Sequence, residues 1–158
     1  MTRLMTVLGY LGLIPFLLPL MVMINGFMFG NGLQSASVFG FYGPYVFISY
    51  SAVILSFLTG TLWSRARTAE ASFLARAAVI ASNLIALTAW ASLLLIYVAP
   101  LLTMFAVCLL VAGYLSMLCI ERFLQAQADK KYWTMRIQLT AIVCAAHLTL
   151  IAMMGMEL

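Results

Sequence analysis

The sequence predicts an all-α integral membrane protein: one domain over residues 1–158, folded as a five-transmembrane-helix bundle, N-in/C-out. Three observations carry this expectation. Hydrophobic residues make up 66% of the chain and charged residues only 8%, against about 25% charged in a soluble domain. Apolar runs of about 20 residues, the length a helix needs to cross hydrocarbon, recur along the chain. The basic residues are confined to short stretches between those runs, which is the distribution that orients membrane proteins. With a mean hydropathy of +1.13, too few charges remain to build a water-facing surface, so lipid must be the main solvent.

The first span is expected over 4–24, with Pro15 and Pro19 one turn apart inside it. Each proline removes a backbone donor, which kinks a helix and frees carbonyls for neighbours to satisfy. Arg3 followed by an apolar run resembles a signal peptide, but the small-residue stretch Ser35-Ala36-Ser37 lies too far downstream, so an uncleaved first span is expected. The uncharged stretch Asn25–Gly43 is expected to lie at the interface, over the helix ends. The second span, 45–63, follows Pro44, which suits a first helical turn. The stretch Ser64–Arg76 is basic and reads as a solvated connection or a short amphipathic surface helix, with Arg65, Arg67 and Glu70 toward water and Phe73 and Leu74 toward lipid. The third and fourth spans, 77–97 and 101–120, are joined by a tight break at Ala99-Pro100 that forces antiparallel neighbours. A second charged stretch precedes the fifth span, 137–154, with Arg136 positioned to snorkel from its first turn.

An inside N-terminus puts Arg3, Arg65, Arg67, Arg76, Arg122, Lys130, Lys131 and Arg136 all on the cytoplasmic side. The net charge of +4 therefore reads as an orientation signal. No basic face interleaved with stacking aromatics is present, so nucleic acid is not an expected partner.

Helix packing is expected through small residues, because lipid offers no hydrophobic gain for bringing Leu against Leu. The second span carries Ser49, Ala52, Ser56, Thr59 and Gly60 at helical spacing; the third carries Ala75, Ala78, Ser82, Ala86 and Ala89. These two stripes read as one seam. Trp63, Tyr132 and Trp133, beside the basic stretches, are expected as interfacial anchors, with Tyr97 at the other surface.

Few side chains are candidates for chemistry. His147 lies in the fifth span on a face with Thr140, Cys144 and Ile151, and Asn83 lies in the third. A buried polar group in a membrane is a functional candidate by default. A proton relay at His147 needs a carboxylate at similar depth, and Glu70, Glu121 and Asp129 all fall at the cytoplasmic boundary. His147 and Asn83 are both expected to hydrogen-bond across helix interfaces, with Ser49, Ser56 and Thr59 as further polar positions. Glu121 and Arg122 are expected as a charge pair at the headgroups. Cys108, Cys119 and Cys144 are unpaired in pattern and lie in apolar segments, as small buried hydrophobes do. No nucleophile elbow, zinc-binding helix motif or phosphate loop occurs. A catalytic role and a cofactor are not expected.

The run Leu8-Gly9-Tyr10-Leu11-Gly12-Leu13-Ile14-Pro15-Phe16 resembles the opening of an uncharacterised family of five-span bacterial inner-membrane proteins, related to mitochondrial transmembrane protein 69. The segment Tyr50 to Trp63 is similar to that family's most distinctive stretch, and Tyr132-Trp133 followed by Arg136 and Leu139-Thr140 is similar to its last motif. Leu62 stands where a histidine is expected, so no role for that histidine carries over. The resemblance implies membrane residence and five spans, and supplies no activity, its members being domains of unknown function. The absence of an Arg- and Ser-rich transit peptide before Leu4 favours the bacterial form.

The expected function is therefore that of a non-catalytic inner-membrane accessory, assembly or scaffold component, with the lipid bilayer and either a membrane-protein partner or a homo-oligomer as its surroundings. A small transporter or channel, or a protein that binds quinone or lipid between helices, is the alternative, resting on the Pro15/Pro19 disruption, the Ser49–Ser56–Thr59 face, Asn83 and His147.

Overall fold

A proline near the start decides how the first apolar run folds. The computed structural model describes residues 2–68, 73–96, 99–124 and 130–157. Among them the helices are α1 (Thr2–Leu11), α2 (Ile14–Met28), α3 (Gly43–Thr68), α4 (Phe73–Leu95), α5 (Pro100–Leu124) and α6 (Lys130–Glu157). Five segments are long and apolar enough to cross a membrane: Arg3–Met28, Gly43–Arg67, Phe73–Leu95, Pro100–Leu124 and Lys130–Glu157.

The first of these is broken at Gly12-Leu13. Pro15 takes the second position of α2, where a missing N–H is harmless, and α2 then runs on through Pro19. The amide of Phe16 bonds to Leu13 O instead of reaching back four residues. This releases Gly12 O, and the Tyr50 hydroxyl from α3 donates to it at 3.0 Å. A carbonyl left free at the break beside Pro15 is thus satisfied by a neighbouring helix, as an apolar surrounding requires. The interruption expected from both prolines is produced by one.

Elsewhere the helices outrun the apolar stretches. The chain becomes helical at Phe73 instead of 77, and at Lys130 instead of 137; α3 and α5 continue past 63 and 120 to Thr68 and Leu124. Hydropathy marks where a helix leaves an apolar solvent, whereas backbone hydrogen bonding continues through charged residues of good helix propensity. Of the stretch Ser64–Arg76 expected as a connection or surface helix, residues 64–68 belong to the end of α3 and 73–76 to the start of α4. Glu70, Tyr97 and Asp129 lie outside the described residues.

The five long apolar segments alternate in direction, α1 and α2 running on together as the first of them. α3 packs on α2, α4 and α5, and α6 closes the bundle against α5 and α2, with α1 resting on α6. The core runs through Phe16, Met23, Phe47, Leu55, Leu110 and Leu150. One end of the bundle gathers the basic residues. The other is covered by a 3-10 turn (Leu33–Ser35) and a two-residue hairpin, β1 (Ser37–Val38) against β2 (Phe41–Tyr42). Leu33, Ala36 and Val38 are buried there, and the Leu33 amide donates to Glu157 Oε1 at 2.7 Å. Phe39 turns the hairpin at φ 53°, a left-handed conformation uncommon for a residue with a Cβ.

The two small-residue stripes are buried unequally. On α4, Ala75, Ala78, Ser82 and Ala89 are buried and Ala86 is half-buried. On α3, Ala52 and Thr59 face inward, but Ser56 and Gly60 are exposed, and a Cβ at Gly60 would meet nothing within 4 Å. The α3 face that turns to the core carries Ser51, Leu55 and Leu62, part of a turn away from the expected stripe. The tightest glycine approach is at Gly113 on α5, where a Cβ would stand 2.5 Å from Leu55 Cδ2 and 3.6 Å from Ile85 Cγ2.

Candidate functional site

The inward face of α6 carries Thr140, Val143, Cys144, His147 and Leu150 at steps of three and four residues. His147 is fully buried. Its Nδ1 lies 2.7 Å from Val143 O, one turn back on the same helix, and its Nε2 lies 2.7 Å from Ser51 Oγ on α3. A carbonyl only accepts, so the network assigns the proton to Nδ1. Nε2 is then the acceptor for the Ser51 hydroxyl. Tyr114 on α5 donates its hydroxyl to Ser51 O at 2.9 Å. The imidazole is neutral in this arrangement, with both nitrogens engaged.

Aromatic rings enclose the imidazole. Phe47 meets it edge-on at 4.7 Å between centroids, Tyr114 at 5.6 Å and Phe16 at 5.9 Å. Rings on α2, α3 and α5 thereby fix its orientation, and the site ties α3, α5 and α6 together. Chemically the chain of bonds is closed: the Ser51 hydroxyl faces His147 Nε2 and, at 3.4 Å, the Tyr114 hydroxyl, and the remaining donors end on backbone carbonyls. Among the described residues, every buried side-chain nitrogen and oxygen has a hydrogen-bond partner.

A second cluster lies at the basic end of the same three helices. Glu121 on α5 is buried, and its Oε2 accepts from Arg136 Nε of α6 at 2.7 Å. Its Oε1 is met by Arg65 of α3 and by the Tyr132 hydroxyl. Arg65 Nη2 also donates to Tyr132 OH at 2.8 Å and lies 5.3 Å from the centre of that ring. One carboxylate thus joins two guanidinium groups, a geometry in which removal of the anion strands buried positive charge. Glu121 was expected to pair with Arg122. Consecutive residues point about 100° apart on a helix, so Arg122 instead lies over the Trp133 ring at 5.3 Å.

The structure separates the other candidates. Among the described residues Asn83 bonds to no other helix; it is exposed, and its Nδ2 donates to Val79 O of its own helix at 2.8 Å. Ser49 and Thr59 likewise bond to carbonyls of α3, those of Val46 and Ser56. Ser56 faces outward. Trp63 is exposed, as an anchor would be, whereas Trp133 is buried and Tyr132 is drawn into the Glu121 cluster. Ser51, Tyr114 and the Glu121–Arg136 pair were not singled out in the sequence. Ser51 was legible only through its spacing from Leu55 and Leu62, which share the buried face of α3. Among the described residues, no three His, Cys, Asp or Glu side chains come together as metal ligands.

A family model described as a protein of unknown function (DUF3429) matches residues 1–152. The chain belongs to that family. No curated protein and no solved structure matches it.

Proposed function

We propose, for this member of a family of unknown function, a non-catalytic role in the bacterial inner membrane: an accessory, assembly or scaffold component that acts by contact with a membrane complex. The observation that supports this is the closed bonding of the interior. His147, Ser51 and Tyr114 complete one another, and Glu121 is taken up by Arg65, Arg136 and Tyr132. These groups hold helices together; a transport or catalytic site keeps polar groups available for a substrate. Insertion with the N-terminus in the cytoplasm belongs to the same proposal, since the basic end then meets the cytoplasmic leaflet. The resemblance of Tyr50–Trp63 to a family with a mitochondrial relative supports, by association, a respiratory enzyme as the complex served.

The test is affinity isolation of the tagged chain from its own membranes in mild detergent, followed by mass spectrometry and an absorbance spectrum. A membrane partner at near-equal stoichiometry, with haem colour if the partner is respiratory, is the expected result. Recovery of this chain with nothing but lipid and copies of itself would overturn the proposal. Reporter fusions after Arg67 and at Leu158 check the orientation, with a cytoplasmic reporter active only at the first.

A further inference from the structure

The outward face of α4 carries an anomaly. Asn83 lies ten residues from Phe73 and twelve from Leu95, so about 15 and 18 Å of helix rise separate it from the two ends. It is therefore near the middle of the apolar stretch, and it is exposed. Its bond to Val79 O uses one of the two amide hydrogens. A carboxamide has two donors and an acceptor oxygen, and hydrocarbon satisfies none of what remains. Polar residues at that depth normally face a helix partner.

The residues around Asn83 form a seam. Arg76, Ile80, Asn83, Leu87, Trp90 and Leu94 follow one another at steps of four, three, four, three and four. Ile80, Leu87, Trp90 and Leu94 are each more than half exposed. These steps average 3.6 residues, the turn of the helix itself, so the six side chains stand in one row along the outward face. On the opposite side of the same helix Ala75, Ala78, Ser82, Ile85, Ala89 and Ser92, at steps of three and four, are buried against the rest of the chain. The inner row is closed within the molecule; the outer one is exposed.

We infer that the outer seam of α4 is the interface with a second copy of this chain, paired about a two-fold axis along the bundle. Two copies inserted in the same direction place their α4 helices parallel, so each Asn83 meets the other at one depth. The carboxamide is self-complementary, its oxygen accepting where its NH₂ donates, and an isologous contact satisfies both copies with no other group. A buried Asn on such a seam also sets register and favours a defined oligomer. Arg76 ends the seam at the level of the basic end, where the two guanidinium groups are solvated.

The test is Förster transfer between donor-tagged and acceptor-tagged copies in lipid vesicles, titrated over the protein-to-lipid ratio. Wild type is expected to associate. Asn83→Leu is expected to weaken association roughly 3- to 30-fold, the range of an interhelical hydrogen bond in membranes. Trp90→Ala should also weaken it, Asn83→Gln should retain most of it, and Val53→Ala, on an exposed face of α3, should leave it unchanged. Transfer no greater than random proximity in wild type, or equal transfer in Asn83→Leu, would overturn the pairing. A monomer that still co-purifies with a different membrane partner would do the same while leaving the accessory reading intact.

Discussion

Ser51 Oγ on α3 and His147 Nε2 on α6 are 2.7 Å apart, and neither side chain reaches the surface. The contact lies eight residues into α3 and ten from the end of α6, roughly 12–15 Å of helix rise from the loop-covered end. Bonds at such depth are made because the alternative is an unsatisfied polar group in an apolar interior.

Ser51→Ala leaves Nε2 of His147 without its donor, and an unsatisfied buried acceptor costs about 1–3 kcal/mol. Tyr114→Phe removes only a second donor from a carbonyl that keeps its helical bond, so a smaller loss of about 0.5–1.5 kcal/mol is expected. Thermal unfolding of the two variants in detergent checks the order.

At the basic end the carboxylate matters more than either arginine. Glu121→Gln strands the largely buried Arg136 and should destabilise by about 3–5 kcal/mol. Arg65→Gln should cost less, because its side chain is 28% exposed and Arg136 still neutralises the carboxylate. A larger loss from Arg65→Gln than from Glu121→Gln, in the same unfolding assay, would refute this account.

Two glycines should respond very unequally to the same change. Gly113→Ala drives a methyl group against Leu55, which is itself fully buried, and is expected to cost about 1–3 kcal/mol. Leu55→Ala in the same chain should recover part of that loss relative to its own cost. Gly60→Ala faces open space and should change stability by no more than about 0.5 kcal/mol.

The cover over the far end is tied to the last helix through Glu157. Removing the acceptor with Glu157→Ala should loosen the 3-10 turn while sparing the core. Hydrogen exchange at the Leu33 amide is expected to speed up at least about tenfold, as the loss of a charge-assisted bond implies, with the melting temperature of the bundle nearly unchanged.

The count of five apolar helices and their rough positions were legible in the sequence, because long apolar runs separated by charge have few other solutions. The α4 stripe was legible too, since small residues at helical spacing mark a helix seam wherever they fall. What the sequence left open was rotation. On α3 the stripe through Ser49, Ser56 and Gly60 shared a face, yet the helix turned Ser51 and Leu55 inward; on α4, Asn83 turned out. Lipid and protein interior are nearly equally apolar, so hydropathy does not say which side of such a helix is buried. That decision was made by side-chain fit in three dimensions: Leu55 against Gly113, Ser51 against His147, and Glu121 against an Arg136 brought to it by the antiparallel pairing of α5 and α6. Periodicity establishes which residues lie together on a helix, and only packing establishes what they face.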